Sequence, residues 1–389
     1  MTEIDEPWLT ATETQRVFDL LTEDGHLVYA VGGCVRNALL GEPVTDIDLA
    51  TSARPETVIS LANQPDVKAV PTGIEHGTVT LVVNSASFEV TTFRKDVETD
   101  GRRATVAFTS SIIEDARRRD FTMNALYADH EGQILDPLDG LPDLLERRVR
   151  FIEDASSRIK EDYLRILRFF RFHAQYGDPE KGMDQEALSA ITSNYQGLSG
   201  VSAERIGNEM RKLLATPDPS PSVASMKAAG VLQYVLPGAD DQWLAPLVHL
   251  EASVNRDARA IRRLAVLGGR EIVERLRLSR ADSRSLDLLK SLSFRGPTIK
   301  EIAWRHGATV ATDVLLIRKA MAGQPLLEGA LDDIEQVALK TCPISASDLL
   351  DERQGAALGQ ALARAEKAWI VSDFSLGRDA LIEIALKEG

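Results

Sequence analysis

The stretch TDIDLAT, residues 45–51, decides the fold of the N-terminal part of the chain, because it places two aspartates one residue apart within an apolar run. Side chains of a β-strand alternate between its two faces, so Asp46 and Asp48 share one face while Ile47 and Leu49 enter the core. Two carboxylates this close repel each other and raise one pKa unless a cation lies between them. The stretch predicts a strand with a divalent metal site; a solvated aspartate pair at a strand end is the alternative.

Size and composition indicate a globular protein of several domains. The length of 389 residues favours roughly two to four domains. A content of 44% hydrophobic and 27% charged residues is ordinary for a globular protein. An acidic N-terminus without an apolar signal core, and no apolar run of bilayer length, predict a cytoplasmic protein without a membrane segment. Two cysteines, Cys34 and Cys342, exclude a disulfide scaffold, and six histidines without a His-Asp pair or HExxH offer no hydrolase metal site.

The net charge of −14 argues against a polyanionic partner, since nucleic-acid binders carry a basic surface. Basic residues nevertheless cluster locally. A basic groove on an acidic body and a set of solvated helix faces paired with acids are both compatible with this pattern. The clusters lie at residues 117–119, 147–150, 168–172, 259–264 and 275–284.

The pattern of apolar residues divides the chain into an α+β part and an all-α part. HLVYAVGG (26–33) predicts a buried strand that ends in a Gly-Gly turn, and CVRNALLG (34–41) predicts a short helix. HGTVTLVV (76–83) and SFEVTTFR (87–94) add strands of a small mixed sheet. Beyond about residue 140 helical periodicity dominates. Candidate joints, rich in Pro, Gly and Ser, are residues 176–182, 216–222 and 294–298.

The Gly-Gly turn and a third carboxylate predict a phosphate and metal site beside Asp46 and Asp48. Gly32 and Gly33 let backbone N–H groups approach an anion at a helix N-terminus, and Arg36 adds a charge. The fingerprints of Rossmann and P-loop proteins are absent from this turn. Glu89 lies on a predicted neighbouring strand, and three carboxylates with substrate phosphates suit Mg²⁺. An ordinary tight turn and an edge-strand charge are the alternatives.

EDYLRILRFFRF, residues 161–172, predicts a helix on which Asp162, Arg165 and Arg168 form one row. A carboxylate accepts and a guanidinium donates hydrogen bonds, so side by side they complement the amino group and ring nitrogen of cytosine or adenine. Guanine and uracil present the reverse pattern, at a cost of roughly 1–3 kcal/mol for each wrong contact. An intrahelical ion pair is the alternative.

The stretches TDGRRATVAF (99–108) and EDARRRDFTMNALYAD (114–129) supply further candidates. Their arginines would contact phosphates or hold Asp162 in place, and Asn124 would bond a sugar hydroxyl. Salt-bridged surface residues are the alternative. The arginines are Arg102, Arg103, Arg118 and Arg119.

Five ordered motifs resemble the class II tRNA nucleotidyltransferases, the bacterial CCA-adding enzymes and their poly(A) polymerase relatives. The resemblance covers about the first 215 residues. The motifs are GGCVRN with DIDLATS (32–37 and 46–52), DGRRA (100–104), RRDFTMNA (118–125), EDYLRILRFFRF (161–172) and SAERIGNEMRKLL (202–214).

The resemblance implies a role for each candidate. Asp46 and Asp48 would hold catalytic metals, with Glu89 as a third catalytic carboxylate, and Asp162 with Arg165 would pair with the incoming CTP or ATP. The loop between TTFRK and DGRRA would allow the switch from C to A addition. The triphosphate would lie on Gly32, Gly33 and Arg36, further nucleotide contacts would come from Arg119, Asn124 and Arg168, and the supporting residues would be Arg102, Arg118, Asp120, Glu204 and Arg205.

Two residues depart from the family pattern, which usually has Asp at the position of Asn37 and Pro at that of Ala104. We expect Asn37, away from the aspartate pair, to change the site locally without loss of metal binding. We expect Ala104 to make its loop looser. The implied architecture is a nucleotidyltransferase-type mixed sheet with helices, followed by an all-α portion. Its domains would be a head (1–150), a nucleotide-recognition neck (151–218), a body (219–295) and a tRNA-binding tail (296–389).

The implied function is addition of CCA to the tRNA 3′ end from CTP and ATP with Mg²⁺, and no protein partner is implied. TGIEHGTVTLVV, residues 72–83, is similar to CCA-adding members, whereas poly(A) polymerases typically have a basic, His-containing stretch there. Poly(A) addition or partial C or A addition is the alternative, and a non-catalytic RNA-binding protein is an alternative from another class.

Overall fold

The computed structural model describes residues 2–99 and 104–387. Contacts between residues gather the chain into two units. The first runs to Ala239 and includes Gly269–Arg277, and the second comprises Asp240–Gly268 and the chain from Leu278 onward. The sequence-based boundaries at 150, 218 and 295 coincide with none of these divisions, and the four-domain scheme stays a prediction.

A seven-stranded mixed sheet forms the centre of the first unit, with strand order β3-β4-β5-β2-β1-β8-β9 and a separate hairpin, β6-β7. Strands β2 and β5 run parallel, and the other neighbouring pairs of the sheet are antiparallel. The strands are β1 (Val28–Val31), β2 (Ile47–Thr51), β3 (Val67–Gly73), β4 (Thr78–Val83), β5 (Ala86–Thr92), β6 (Arg94–Thr99), β7 (Ala104–Phe108), β8 (Tyr127–Ala128) and β9 (Ile134–Leu135).

Alternating residues anchor the predicted strands in the core. In β4 Val79 and Leu81 are fully buried while the alternating residues Thr78 and Thr80 are half-exposed, as expected of a sheet with one covered face. Strand β3 was not predicted, because it is a half-exposed edge strand that contains Pro71. The segment between TTFRK and DGRRA was predicted to be a loop, but residues 96–99 belong to β6, which pairs antiparallel with β7.

Helices cover the sheet and make up the rest of the chain that the structure describes, as the periodicity predicts. None of the described helices is long and apolar enough to cross a membrane. In chain order they are α1 (Pro7–Thr10), α2 (Thr12–Thr22), α3 (Gly33–Leu40), α4 (Pro55–Leu61), α5 (Ile112–Arg117), α6 (Leu141–Leu145), α7 (Ala155–Glu161), α8 (Arg165–Tyr176), α9 (Gln185–Asn194), α10 (Ala203–Leu214), α11 (Ser220–Ala228), α12 (Val231–Val235), α13 (Leu244–Ser253), α14 (Ala260–Leu267), α15 (Ile272–Arg275), α16 (Arg280–Arg295), α17 (Ile299–His306), α18 (Ala308–Ala322), α19 (Ala330–Ala338), α20 (Gly355–Val371) and α21 (Arg378–Leu386).

The helix predicted over residues 161–172 is broken at its start. Helix α7 ends at Glu161, Asp162 is extended (φ −152°, ψ 103°), and α8 begins at Arg165. The Asp162 carboxylate accepts a hydrogen bond from the Leu164 N–H at 3.1 Å, which stabilises a turn rather than a continuing helix. Asp162 and Arg165 are therefore not two positions on one helical row.

The second unit packs around α18, whose inner face includes the buried residues Val314, Leu316 and Ile317. A buried ion-pair network joins α13, α14 and α18. Arg262 and Arg263 of α14 both bond to Glu251 of α13, at 2.6 and 2.7 Å. Arg262 also bonds to Asp313 of α18 at 2.8 Å, so the charges are paired although they lie in the core.

Candidate active site

The turn after β1 opens a pocket of the first unit. Gly32 has φ +72°, in the left-handed region that favours glycine, and α3 starts at Gly33. The pocket has a volume of about 410 Å³. It is lined by Gly32, Gly33, Arg36, Asp48, Arg118, Arg119, Asp120, Asn124, Asp162, Arg165, Arg168 and Phe172.

Asp48 lines this pocket and has two other carboxylates, Glu89 and Asp46, near enough to affect its charge. The parallel register of β2 and β5 places it directly opposite Glu89. Burial and the charge of Glu89 raise the pKa of Asp48 to about 6, and Asp46 adds to the rise. The aspartates therefore repel each other, as the sequence predicted.

The donor set fits a divalent cation with two protein carboxylates. Asp46 is exposed just before β2, and Asp48 is half-buried. Within residues 2–99 and 104–387, no group of three or more His, Cys, Asp or Glu side chains is close enough to hold a metal ion, so Glu89 is not gathered into a three-carboxylate set. Two carboxylates suffice for an ion that takes its other oxygens from water and substrate phosphates.

Arg36 is buried on α3 with uncharged partners. Its guanidinium donates to Asn124 Oδ1 and, at 2.8 Å, to the hydroxyl of Tyr176, and it stacks 4.1 Å above the Tyr176 ring. Burial lowers its pKa. Among the residues described, Arg36 has no ion-pair partner, so its charge stays available to an anion in the pocket.

Asn37, the departure from the family pattern, also bonds to this guanidinium. Its Oδ1 accepts from Arg36 at 3.0 Å, and its Nδ2 donates to the Pro43 carbonyl at 2.8 Å. A carboxylate at this position would neutralise Arg36 and lack the donor. Asn37 lies on α3, as expected, and its bond to Pro43 connects this helix to the loop that leads into Asp46.

Asp115 aligns two arginines of the pocket, a role that the sequence analysis missed. It is fully buried and accepts from Arg118 at 2.8 Å, from Arg119 at 3.0 Å and from the Tyr127 hydroxyl at 2.8 Å. Burial would raise the pKa of Asp115, but Arg119 and Arg118 outweigh it and hold the pKa below its usual range. The spacing of three and four residues along a helix was the available signal.

Asp120 continues the network to helix α8. Its carboxylate accepts from Arg168 at 2.7 Å and from Asn124 Nδ2 at 2.9 Å. Burial opposes ionisation of Asp120, but Arg168 outweighs burial and lowers the pKa. Because Asn124 bonds to both Arg36 and Asp120, both ends of its amide are engaged by protein, and the predicted bond to a sugar hydroxyl would have to be added to these contacts.

Asp162 and Arg165, which also line the pocket, have separate partners, so the prediction of an intrahelical ion pair between them is wrong. Asp162 accepts from Arg205 of α10 at 2.6 Å. Arg165 donates to Glu161 at 2.6 Å and to the carbonyls of Arg158 and Arg118, both at 2.9 Å. The two side chains line one cavity without bonding to each other.

The remaining candidates lie elsewhere. Arg118 and Arg119 bond to Asp115, so they do not hold Asp162; Arg205 does. Glu204 is exposed and pairs with Arg277 at 3.0 Å, away from the pocket lining. Arg102 and Arg103 lie outside the described residues. Cys34 is buried, and burial raises the pKa of its thiol to about 11.

Two family models match the chain. The poly(A) polymerase head domain matches residues 28–150, and a probable RNA- and SrmB-binding site of polymerase A matches residues 182–242. The chain is 33% identical over 369 residues to the mitochondrial CCA tRNA nucleotidyltransferase 1 of Danio rerio, covering 90% of this chain and 85% of that protein. It thus belongs to the family of class II tRNA nucleotidyltransferases and poly(A) polymerases.

Two of the similar proteins are CCA-adding enzymes. A CCA-adding enzyme of Streptococcus pyogenes is 41% identical over 248 residues, which cover 62% of this chain and 60% of that enzyme, less than two-thirds of its length. The crystal structure of the Bacillus stearothermophilus CCA-adding enzyme in complex with CTP superposes with a TM-score of 0.74 at 27% identity, covering 95% of this chain and 94% of that chain. The mixed sheet followed by helices is the fold of that enzyme.

Proposed function

We propose that this chain adds CCA to the 3′ end of tRNA, with CTP and ATP as substrates. The observation that carries the proposal is the pocket itself. One cavity is lined by Asp48 beside a glycine turn, and also by Asp162 and Arg165, a carboxylate and a guanidinium that are not bonded to each other. The relatives named as CCA-adding enzymes support this function over poly(A) addition.

At the phosphate end, Gly33 offers its backbone N–H and Arg36 offers its unneutralised charge to the triphosphate, whereas the Gly32 N–H donates to the Leu126 carbonyl at 3.2 Å. Asp46 and Asp48 would hold Mg²⁺, which when bound neutralises phosphate charge and aligns the attacking and leaving oxygens. The RNA 3′-hydroxyl attacks the α-phosphorus, the bond to the β-phosphate oxygen breaks, and pyrophosphate leaves. Glu89 stays a proposed catalytic residue that acts beside Asp48.

At the base end, Arg165 retains the capacity to donate. Its bonds to Glu161 and to two carbonyls occupy both hydrogens of Nη1 and one of Nη2. Among the described contacts this leaves the Nε hydrogen and the other Nη2 hydrogen for the base. Each oxygen of Asp162 accepts one bond and can accept a second, so the pair presents the pattern that cytosine and adenine complement.

The test is incorporation into a tRNA that lacks its 3′ CCA. The protein is incubated with this RNA, Mg²⁺ and each labelled nucleotide in turn, with the double variant Asp46→Asn/Asp48→Asn as the matched control. The proposal expects C, C and then A to be added, followed by a halt, and no addition by the control. A long A tail would show a poly(A) polymerase, and RNA binding without transfer would show a binding protein.

A cytoplasmic location is part of the proposal, although the Danio rerio relative is named as mitochondrial. Fractionation of cells that make the protein tests this point. Recovery in an organelle fraction would contradict it.

A further inference from the structure

Three consecutive residues in the break between α7 and α8 have their side chains in three different surroundings. Asp162 lines the pocket, and Leu164 is buried with 6% exposure. Tyr163, between them, does not line the pocket and packs on Gly197 of the short 3₁₀ helix Tyr195–Gly200. The orientation of Asp162 therefore depends on how its neighbour is seated.

Glycine is the only residue type that fits at position 197, directly beneath the Tyr163 ring. A Cβ atom at Gly197 would lie 1.9 Å from Cε1 and 2.2 Å from Cδ1 of Tyr163, well inside van der Waals contact. The backbone there does not require glycine, because Gly197 does not have a left-handed φ. The close approach of the ring, rather than the turn, is what excludes a side chain.

The short 3₁₀ helix cannot easily yield to such a clash. Its residues beside Gly197 are held: the Tyr195 ring packs edge-on against Tyr234 at 5.4 Å, the Gln196 carbonyl accepts from the Tyr234 hydroxyl at 2.9 Å, and Leu198 is 1% exposed. A side chain at Gly197 would therefore displace Tyr163 rather than the 3₁₀ helix.

We propose that Tyr163, seated on Gly197, is a positioning residue that sets the Asp162 carboxylate and thereby the choice of nucleotide. Arg205 holds the same carboxylate from α10 at 2.6 Å, so the break is fixed from two elements. The inference rests on the proposed function, because it assigns a consequence for base selection. It adds a residue pair that does not line the pocket.

The test compares Gly197→Ala with Gly200→Ala. Gly200 belongs to the same 3₁₀ helix, is exposed, and has no atom within 4 Å of a built Cβ, so it is a matched control. Gly197→Ala should lower the ratio of kcat/KM for CTP over UTP by roughly 10- to 100-fold, the scale expected for a misplaced recognition group. Gly200→Ala should leave the ratio at the wild-type value.

Tyr163 variants keep the proposal testable if Gly197→Ala fails to fold. Tyr163→Ala should lower the CTP-to-UTP ratio of kcat/KM as Gly197→Ala does. Tyr163→Phe keeps the ring and should keep the wild-type ratio. The double variant Tyr163→Ala/Gly197→Ala should have a ratio no lower than that of Tyr163→Ala. Thermal unfolding is measured for each variant. A loss of Tm with the CTP-to-UTP ratio unchanged in Gly197→Ala and Tyr163→Ala would overturn the proposal. Absence of C and A addition by the wild type would instead reject the proposed function.

Discussion

At the residue scale, the arginines of the pocket divide into those that a carboxylate neutralises and one that none does. Arg118, Arg119 and Arg168 each pair with a buried aspartate. Arg36 bonds only to uncharged groups among its described contacts. An anion that enters the pocket would therefore meet an unneutralised charge at Arg36, whereas in the proposed reaction Arg165 offers directed donors to the base.

This division predicts distinct defects for Arg36→Gln and Arg165→Ala. Loss of a charge-assisted hydrogen bond costs about 1.5–3 kcal/mol, so Arg36→Gln should raise KM for all four nucleoside triphosphates alike, by roughly 10- to 100-fold. Arg165→Ala should instead erode the preference for C and A over U and G more than it raises KM. Steady-state kinetics with each nucleotide checks both, with Arg16→Gln as a surface control. Unchanged selectivity in Arg165→Ala would show that the base is read elsewhere.

The carboxylates at the proposed metal site should differ in their importance for catalysis. Asp48→Asn removes a proposed ligand and should abolish measurable transfer, whereas Glu89→Gln removes a neighbour of that residue and should lower kcat on the order of 10- to 100-fold. Single-turnover assays at saturating CTP and Mg²⁺ separate the two variants. If transfer were lost completely in both variants, Glu89 would also be a metal ligand. If Glu89→Gln kept the wild-type kcat, Glu89 would have no role in catalysis.

At the element scale, short breaks and buried acids position the site more than helix periodicity reveals. The sequence was sufficient for the glycine turn, β2, β5 and most lining residues, because a strand-turn-helix pattern and an aspartate alternation are local signals. The break at Asp162 was missed because Leu and Phe continue the helical spacing through it, although Asp is a helix-start residue. Arg205, the partner of Asp162, is distant in sequence, so this ion pair could be found only from the folded structure.

Helix α5 supplies a pH-dependent prediction through Asp115. Because the folded pKa of Asp115 lies below its unfolded value, its stabilising effect is complete above about pH 5 and fades as pH falls through about 3.9 toward the folded value. Asp115→Asn leaves two arginines without their carboxylate and should cost about 3–5 kcal/mol at pH 7. Denaturant unfolding should show this gap from wild type shrinking at pH 3.5.

A control separates this effect from general acid sensitivity. Asp24→Asn changes an exposed aspartate and should show almost no gap from wild type at either pH. A gap for Asp115→Asn that stayed constant between pH 7 and pH 3.5 would contradict the assignment of a lowered pKa.

At the scale of the whole molecule, two units each contain their own core. The pocket belongs to the first, and the buried network of Arg262, Arg263, Glu251 and Asp313 belongs to the second. Periodicity identified the second unit as helical, but the pairing of its buried charges joins residues up to about fifty positions apart and could not be read from the sequence.

Glu251→Gln should therefore destabilise the second unit without altering the pocket. Breaking a buried pair while its arginines remain costs about 3–5 kcal/mol, whereas Glu335→Gln, at an exposed pair with Arg256, should cost less than about 1 kcal/mol. Calorimetry measures the unfolding, and KM for CTP should stay at the wild-type value in both variants. A smaller loss in Glu251→Gln than in Glu335→Gln would contradict the description of this core.

The most direct test of the account is a crystal structure of the protein with CTP and Mg²⁺. We expect the triphosphate against Gly32, Gly33 and Arg36, the metal between Asp46 and Asp48, and the cytosine edge bonded to Asp162 and Arg165. A nucleotide bound with its base away from Asp162 and Arg165, or with both strand aspartates free of metal, would contradict the claim that one pocket performs transfer and base selection.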